Sequence, residues 1–452
     1  MNTTLATHFA EFAHHLSPTH IPATVLRRAA MHMLDTLAAG VAGSASDDAT
    51  RSRDALLGHG RGGEAVIWGT TLCSNPANAA LLNGIATHAY ELDDSGGCDH
   101  SGAVVVPAML AAAAIAPHPV DGQRLLTATV LGYELGRRVQ DALGGYDSVN
   151  ESGWHTTGTC GPFAAAAAAA KVLDLDQHRT AQAIGLAAAS AAGSWAFIAQ
   201  GAMTKRLHAG HAARGGLEAA LLAAAGFSGP TDIFEAPWGG FLDLYRGPSA
   251  PRPAALTDGL GTNWQIDHAS IKPHATCRST HAAIDALLKL HSTIGAPETV
   301  TAIEVRTSAL IANMCGGTDV EELTAAQLSL PFALAVATIY GRVDIDDVLT
   351  GRHDPRVANL IDRITVTIDS SQHGGSASPG IIVHTSDGTV YTANAQSPRG
   401  SRTNPLTLTE VVTKGRRLLA RRLPTATTDD LIASLTSPGL ADAQTIARLL
   451  ST

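Results

Sequence analysis

Residues 153–171 read Gly-Trp-His-Thr-Thr-Gly-Thr-Cys-Gly-Pro-Phe, then seven alanines and Lys171. Pro162 suits the first position of a helix, and alanine is the strongest helix former. Small side chains let helices approach closely, so the stretch predicts a mainly helical body with tight crossings. The first-turn N–H groups of such a helix lack internal partners and carry partial positive charge, which suits a carboxylate or a phosphate. His155 sits just before it, in a loop of glycines and hydroxyl residues where a side chain can face a ligand. A proton-transfer residue beside an anion site is the minimum equipment for chemistry on a carboxylic acid.

Helical signals continue on both sides. Residues 22 to about 42 begin with Pro and end near Gly40 and Gly43, with apolar residues at helical spacing. Further helices are predicted at 76–90, 103–116, 122–142, 177–192 and 207–225, the last stopped by Gly226. No convincing strand precedes residue 265. Beyond Trp264 the pattern changes. Val300–Thr307 and Ile364–Ile368 alternate like strands, and 380–385 and 389–394 flank Ser386-Asp387-Gly388, a hairpin signal. A helix is predicted near 324–340, and helices resume after Asn404-Pro405. The expected fold class is mainly α: a large all-helical domain from 1–266 and 402–452, with a smaller α+β lid domain, 267–401, inserted. A cleft between two such domains is a common place for a small-molecule site.

Composition narrows the partners. A net charge of −9 over 452 residues argues against nucleic acid, which needs a basic surface. The five cysteines are widely spaced, with no Cys-x-x-Cys pair, which fits a reducing cytoplasm and gives neither a disulfide framework nor a zinc site. The N-terminus lacks a basic region followed by an apolar core, so no signal peptide is expected. Residues 180–204 are uncharged and long enough to span a bilayer, but they are mostly Ala, Ser and Gly. They read as a buried core helix and its following loop, not as a membrane segment.

Four polar clusters carry the candidate chemistry. The first runs from Glu91 through Asp93, Asp94, Ser95 and Asp99 to His100. Crowded carboxylates repel, which raises the pKa of at least one toward neutrality. A solvated acidic loop with helix caps explains the same residues, and Asp and His are also metal ligands. The second is 153–161, where Thr156, Thr157 and Thr159 accompany His155; no Gly-Lys-Ser/Thr follows, so it is not a nucleotide loop. The third is Lys205-Arg206-Leu207-His208, with Lys205 a candidate carboxylate anchor or simply a solvated basic turn. The fourth holds Lys272, Cys277, Arg278 and His281. Cys277 and His281 have helical spacing, yet zinc needs more ligands than these two.

The GWHTTGTCG loop with its alanine helix, the Leu-Asp-Asp…His loop, Lys-x-x-His-Ala-Gly, Lys-Pro…Cys-Arg…Thr-His and Asn404-Pro-Leu-Thr occur in that order. Together they resemble the MmgE/PrpD family, which includes 2-methylcitrate dehydratases, cis-aconitate decarboxylases and iminodisuccinate epimerase. The resemblance covers nearly the whole chain. It implies a homodimer with the site between a helical domain and a lid, and neither a metal nor an organic cofactor. Carried over by motif, the site would contain His155, His100 and Asp94 as catalytic groups. Lys205, Lys272 and Cys277 would bind substrate, with Glu91, Asp93, Ser95, Thr159 and Arg278 beside them. The family commonly has Asp-Phe-Asp-Asp where this chain has Glu91-Leu-Asp93-Asp94, and Ser101-Gly102 replaces the usual Pro after the histidine. The loop to His100 is about one residue shorter than in the decarboxylases, and that branch tends to carry histidine at the position of Cys277.

The expected partner is therefore a small di- or tricarboxylate. The simplest reaction is dehydration of a 2-methylcitrate-like hydroxy acid. Lys205, Lys272 and the helix start at Pro162 would stabilise the enediolate. His155 would be the base, and His100, held by Asp94, the acid, although the two roles can be exchanged. The alternatives are an epimerase of an iminodisuccinate-like dicarboxylate, a cis-aconitate-type decarboxylase disfavoured by Cys277, and a non-catalytic carboxylate-binding protein.

Overall fold

The alanine run lies in the Gly161–Val172 helix, and every residue of that helix except Lys171 is buried. In the computed structural model, which describes residues 3–58, 62–375, 377–395, 397–437 and 440–451, it packs most extensively against three further helices. These are Ser101–Ala113, Gly122–Ala142 and Thr204–Ala224, the last also lying on Pro76–His88. The Ala23–Gly43 helix, started by Pro22, closes the group against Pro76–His88 and Leu408–Leu419.

The crossings are tight because side chains are missing where backbones meet. A Cβ on Gly84 would stand 2.8 Å from the Cα of Gly210, and one on Gly43 would stand 1.8 Å from the carbonyl oxygen of Ala86. That oxygen belongs to a packed helix and cannot swing away. Gly43→Ala is therefore expected to lower stability by about 2 kcal/mol or more, despite the better helix former. Urea unfolding of the two proteins measures it, and an unchanged or raised midpoint would refute the close-packing account.

The Thr156–Thr159 turn runs straight into the alanine helix. The Cys160 N–H already donates to Thr156 O at 2.8 Å, and Phe163 and Ala164 are buried among neighbouring helices. The free donor end thus lies at His155, one turn earlier than expected, and the start at Pro162 offers no open anion site. Residues 180–204 also differ from expectation. The Gln177–Ala187 helix buries one side only, and the segment after it is half-exposed. Among the described residues no helix is long and apolar enough to cross a membrane.

The sheet follows the sequence pattern closely. Its order is Ile364–Ile368, Val300–Thr307, Gly380–Thr385, Val390–Asn394; the first pair is parallel and the others are antiparallel. The His281–Ile294 helix covers it. The expected 324–340 helix breaks at Ser329 into Leu323–Leu328 and Leu330–Tyr340, because Ser329 caps the second piece and Pro331 sits in its first turn. Among the described residues ahead of 265 there is one small ladder, Ala65–Val66 with Cys73–Ser74.

Candidate functional site

The loop from His88 to His100 is buried at its centre and anchored from three directions. The Asp94 carboxylate accepts from Gly102 N at 2.8 Å, lies 2.8 Å from His32 Nδ1, and accepts from the Tyr133 hydroxyl. Lys414, from the Leu408–Leu419 helix, donates to Leu92 O at 2.6 Å and pairs with Asp35 at 2.5 Å. Ser95 and Ser270 exchange two backbone hydrogen bonds, which ties the loop to the segment carrying Lys272 and Cys277. Glu91 and Asp99 hold φ of 52° and 79°, a left-handed conformation that non-glycine residues seldom adopt.

Two buried lysines converge on one carboxylate. Lys205, at the start of the Thr204–Ala224 helix, donates to Glu91 Oε1; Lys272 donates to Glu91 Oε2 at 3.0 Å and to Glu91 O at 3.1 Å. Burial pushes the Glu91 pKa up, but Lys205 and Lys272 outweigh it and hold the carboxyl well below its ordinary range. Asp93 bridges two imidazoles, His88 Nδ1 at 3.1 Å and His100 Nδ1 at 3.0 Å. Against the effect of burial, those two rings and Lys272 keep it ionised as well. Asp99, next to His100, behaves alike. Crowding was expected to raise one carboxylate toward neutrality; instead Glu91, Asp93 and Asp99 are all lowered, because each meets cations.

The pKa values of the two histidines singled out by sequence are shifted in opposite directions. His100 caps the Ser101–Ala113 helix, with Nδ1 also 3.0 Å from Asp94 O. Burial lowers its pKa, but Asp99 and then Asp93 more than compensate, so it is raised. The carboxylate that orients His100 is thus Asp93, not Asp94, which contributes only its carbonyl. His155 is fully buried, its Nδ1 2.9 Å from His208 Nδ1 and its Nε2 3.2 Å from Thr157 Oγ1. Burial pushes it down to about 3, against the pull of Asp99. The two rings are thus pushed apart, His100 toward its protonated form and His155 toward its neutral one, the division that acid–base catalysis needs.

A cavity of about 620 Å³ opens beside this cluster, lined by Ser95, Asp99 and Arg278 and by Arg137, Arg252 and Arg402. Lys205 and Lys272, expected as substrate anchors, are buried on Glu91 and do not line this cavity, where the cationic side chains are the arginines. Arg278 also donates to Arg399 O at 3.0 Å. Cys277 is buried, its N–H on Gln327 O at 2.8 Å; its thiol is lowered chiefly by a hydrogen bond from Cys315, against burial. Thr159 bonds within its own turn, to His155 O at 3.5 Å, and does not line the cavity.

Asp99 and His208 stand in the candidate clusters without a role of their own, and His88 and Lys414 join the site only in the structure. The Asp99–His100 neighbourhood was the one legible sign; the others emerge only when distant elements meet. Two trios, His88–Asp93–His100 and Asp99–His100–His155, have ligand atoms within 4.8 Å of one another, close enough to share a cation. The ammonium groups of Lys205 and Lys272 alongside oppose one.

Two family models match the sequence: the MmgE/PrpD N-terminal domain over residues 7–254 and the MmgE/PrpD C-terminal domain over 274–436. The chain is 33% identical over 427 residues to a cis-aconitate decarboxylase-like protein, oryM, of Aspergillus oryzae, covering 89% of this chain and 88% of the relative. It is 28% identical over 418 residues to cis-aconitate decarboxylase of Aspergillus terreus, covering 86% and 84%. Against the cis-aconitate decarboxylase of Homo sapiens it is 30% identical over 287 residues, 62% and 58% of the two chains.

Proposed function

The chain belongs to the MmgE/PrpD family, and from that premise we propose that it is a lyase that needs no cofactor and acts on a small tricarboxylate, removing carbon dioxide from a cis-aconitate-like acid. The observation that carries this reading is His100, a buried imidazole with Nδ1 on Asp93 and Nε2 facing Asp99, beside a cavity rimmed with arginines. The relatives named as cis-aconitate decarboxylases support it.

In a β,γ-unsaturated acid the electron pair of the breaking C–CO2 bond shifts through the double bond and ends on the γ carbon. That carbon needs a proton, and His100 Nε2 supplies it; solvent then returns one to the ring. Arginines at the cavity would hold the carboxylates that remain, and the desolvated interior favours loss of the charged one. Residues 267–401 would serve as the lid over this cleft.

Dehydration stays as a second reading, favoured by two observations. His155 is a neutral base that decarboxylation leaves idle, and Cys277 stands where the decarboxylase branch tends to carry histidine. In that reaction His155 Nε2 takes the C–H proton next to a carboxylate, and His100 protonates the leaving hydroxyl, giving water and an alkene. An epimerase would use the same two groups on opposite faces of one carbon.

We also propose a homodimer. Trp238 is 94% exposed, with Phe227, Leu222 and Leu244 exposed nearby in the chain, and apolar surface of that kind marks interaction sites.

The test is purified protein with cis-aconitate, citrate, 2-methylcitrate and iminodisuccinate in turn, followed by NMR in D2O and by carbon dioxide release. Release of carbon dioxide from cis-aconitate, surviving exhaustive chelation, is expected. Alkene formation from a hydroxy acid without carbon dioxide would select dehydration, and exchange of a C–H without an alkene would select epimerisation. Absence of all three from a folded protein would overturn the lyase reading.

A further inference from the structure

Both catalytic candidates aim their outer nitrogens at one atom. Asp99 Oδ2 lies 3.6 Å from His100 Nε2 and 3.5 Å from His155 Nε2. That spot, between proton donor and base, is where a reacting acid must come. Of Glu91, Asp93, Asp94 and Asp99, only Asp99 lines the cavity. The other three are held by short contacts: Glu91 by two lysines, Asp93 by two imidazoles, Asp94 by His32, Tyr133 and Gly102 N. The two histidine contacts of Asp99 lie beyond ordinary hydrogen-bond length. Its φ of 79° and the φ of 91° at Gly96 bracket a turn that is not set by helix or strand.

Resting on the lyase reading, we infer that Asp99 is a specificity-determining residue: its carboxylate stands between the two imidazoles in place of a substrate carboxylate, and an incoming acid must displace it. Displacement removes the ion contacts that Asp99 gives both rings. A monocarboxylate merely replaces one carboxylate by another and gains nothing. A tricarboxylate places one carboxylate between the imidazoles and brings others to Arg252, Arg278 or Arg402, which the Asp99 side chain does not satisfy; Arg137, also at the cavity, is already paired with Asp141. Asp99 thereby selects polyanionic acids, and it does so by competition rather than by attraction.

The test uses tricarballylate, a tricarboxylate with neither alkene nor hydroxyl, and propionate, both by calorimetry on the full-length protein. The variants are Asp99→Asn, which keeps the size and loses the charge, and Asp99→Gly, which suits the positive φ and removes the side chain. Both variants are expected to bind tricarballylate at least tenfold more tightly than the wild type. Propionate binding, undetectable in the wild type, should become measurable. Unchanged or weaker tricarballylate binding in both variants overturns the inference. So does loss of turnover at unchanged affinity, which would make Asp99 a proton-transfer group. If wild type and variants all fail to bind tricarballylate, citrate and cis-aconitate, the carboxylate reading itself falls, and the role of Asp99 with it.

Discussion

His100→Asn lowers turnover by about 10²–10⁴-fold in a protein that still folds, the usual range for loss of a general acid. Asparagine keeps a polar group near Asp93 Oδ2 and Asp94 O, which the Nδ1 position now satisfies at 3.0 Å each, but it has no group at the Nε2 position and cannot carry a transferable proton. The pH profile adds a second reading. The folded pKa of His100 is raised, Asp99 and Asp93 overcoming burial. Its charged form therefore contributes stability that is complete below the ordinary imidazole value and lost as pH rises through the folded value. Turnover that depends on the donor should fall as pH rises through that folded value, while His155, lowered to about 3, stays neutral throughout. Steady-state rates on cis-aconitate from pH 6 to 10 measure this. Near-normal turnover in the folded variant would remove His100 from the donor role.

Glu91→Gln destabilises the protein by about 3–5 kcal/mol, because it leaves two buried ammonium groups facing a neutral amide. Lys205 and Lys272 are about 1% and 0% exposed, so neither reaches water without opening the fold. The pH sign follows from the lowered Glu91 pKa. The wild-type contribution is present above the ordinary glutamate value and fades as pH falls through the depressed folded value; the variant lacks that acid-side decline. Urea unfolding at pH 7 and pH 4 measures both effects. A loss below about 1 kcal/mol would mean that the lysines do not depend on Glu91.

The helices were legible because alanine, glycine and proline act locally: Pro22 and Gly226 bound helices within a residue or two of the sequence reading. The sheet was legible because alternation survives in a half-buried strand, as Gly380–Thr385 shows. The partner of each charge was not legible. Glu91 meets lysines 114 and 181 residues away, so neighbouring carboxylates that look mutually repelling in sequence are each paired in space. Choosing Asp94 over Asp93 as the orienting carboxylate failed for a similar reason. Adjacent residues in an irregular loop point apart, and only His32 and Tyr133, from helices elsewhere, decide which one turns away. The helix start at Pro162 misled because a proline can also continue a turn that began earlier.

The clamp on Leu92 comes from Lys414, and chain order gives that contact a meaning in time. During synthesis both histidines, both lysines and all four loop carboxylates leave the ribosome before the last of the three anchors of their loop has been made. A message truncated ahead of residue 408 would encode every reacting group and still yield a protein whose loop lacks one of those anchors.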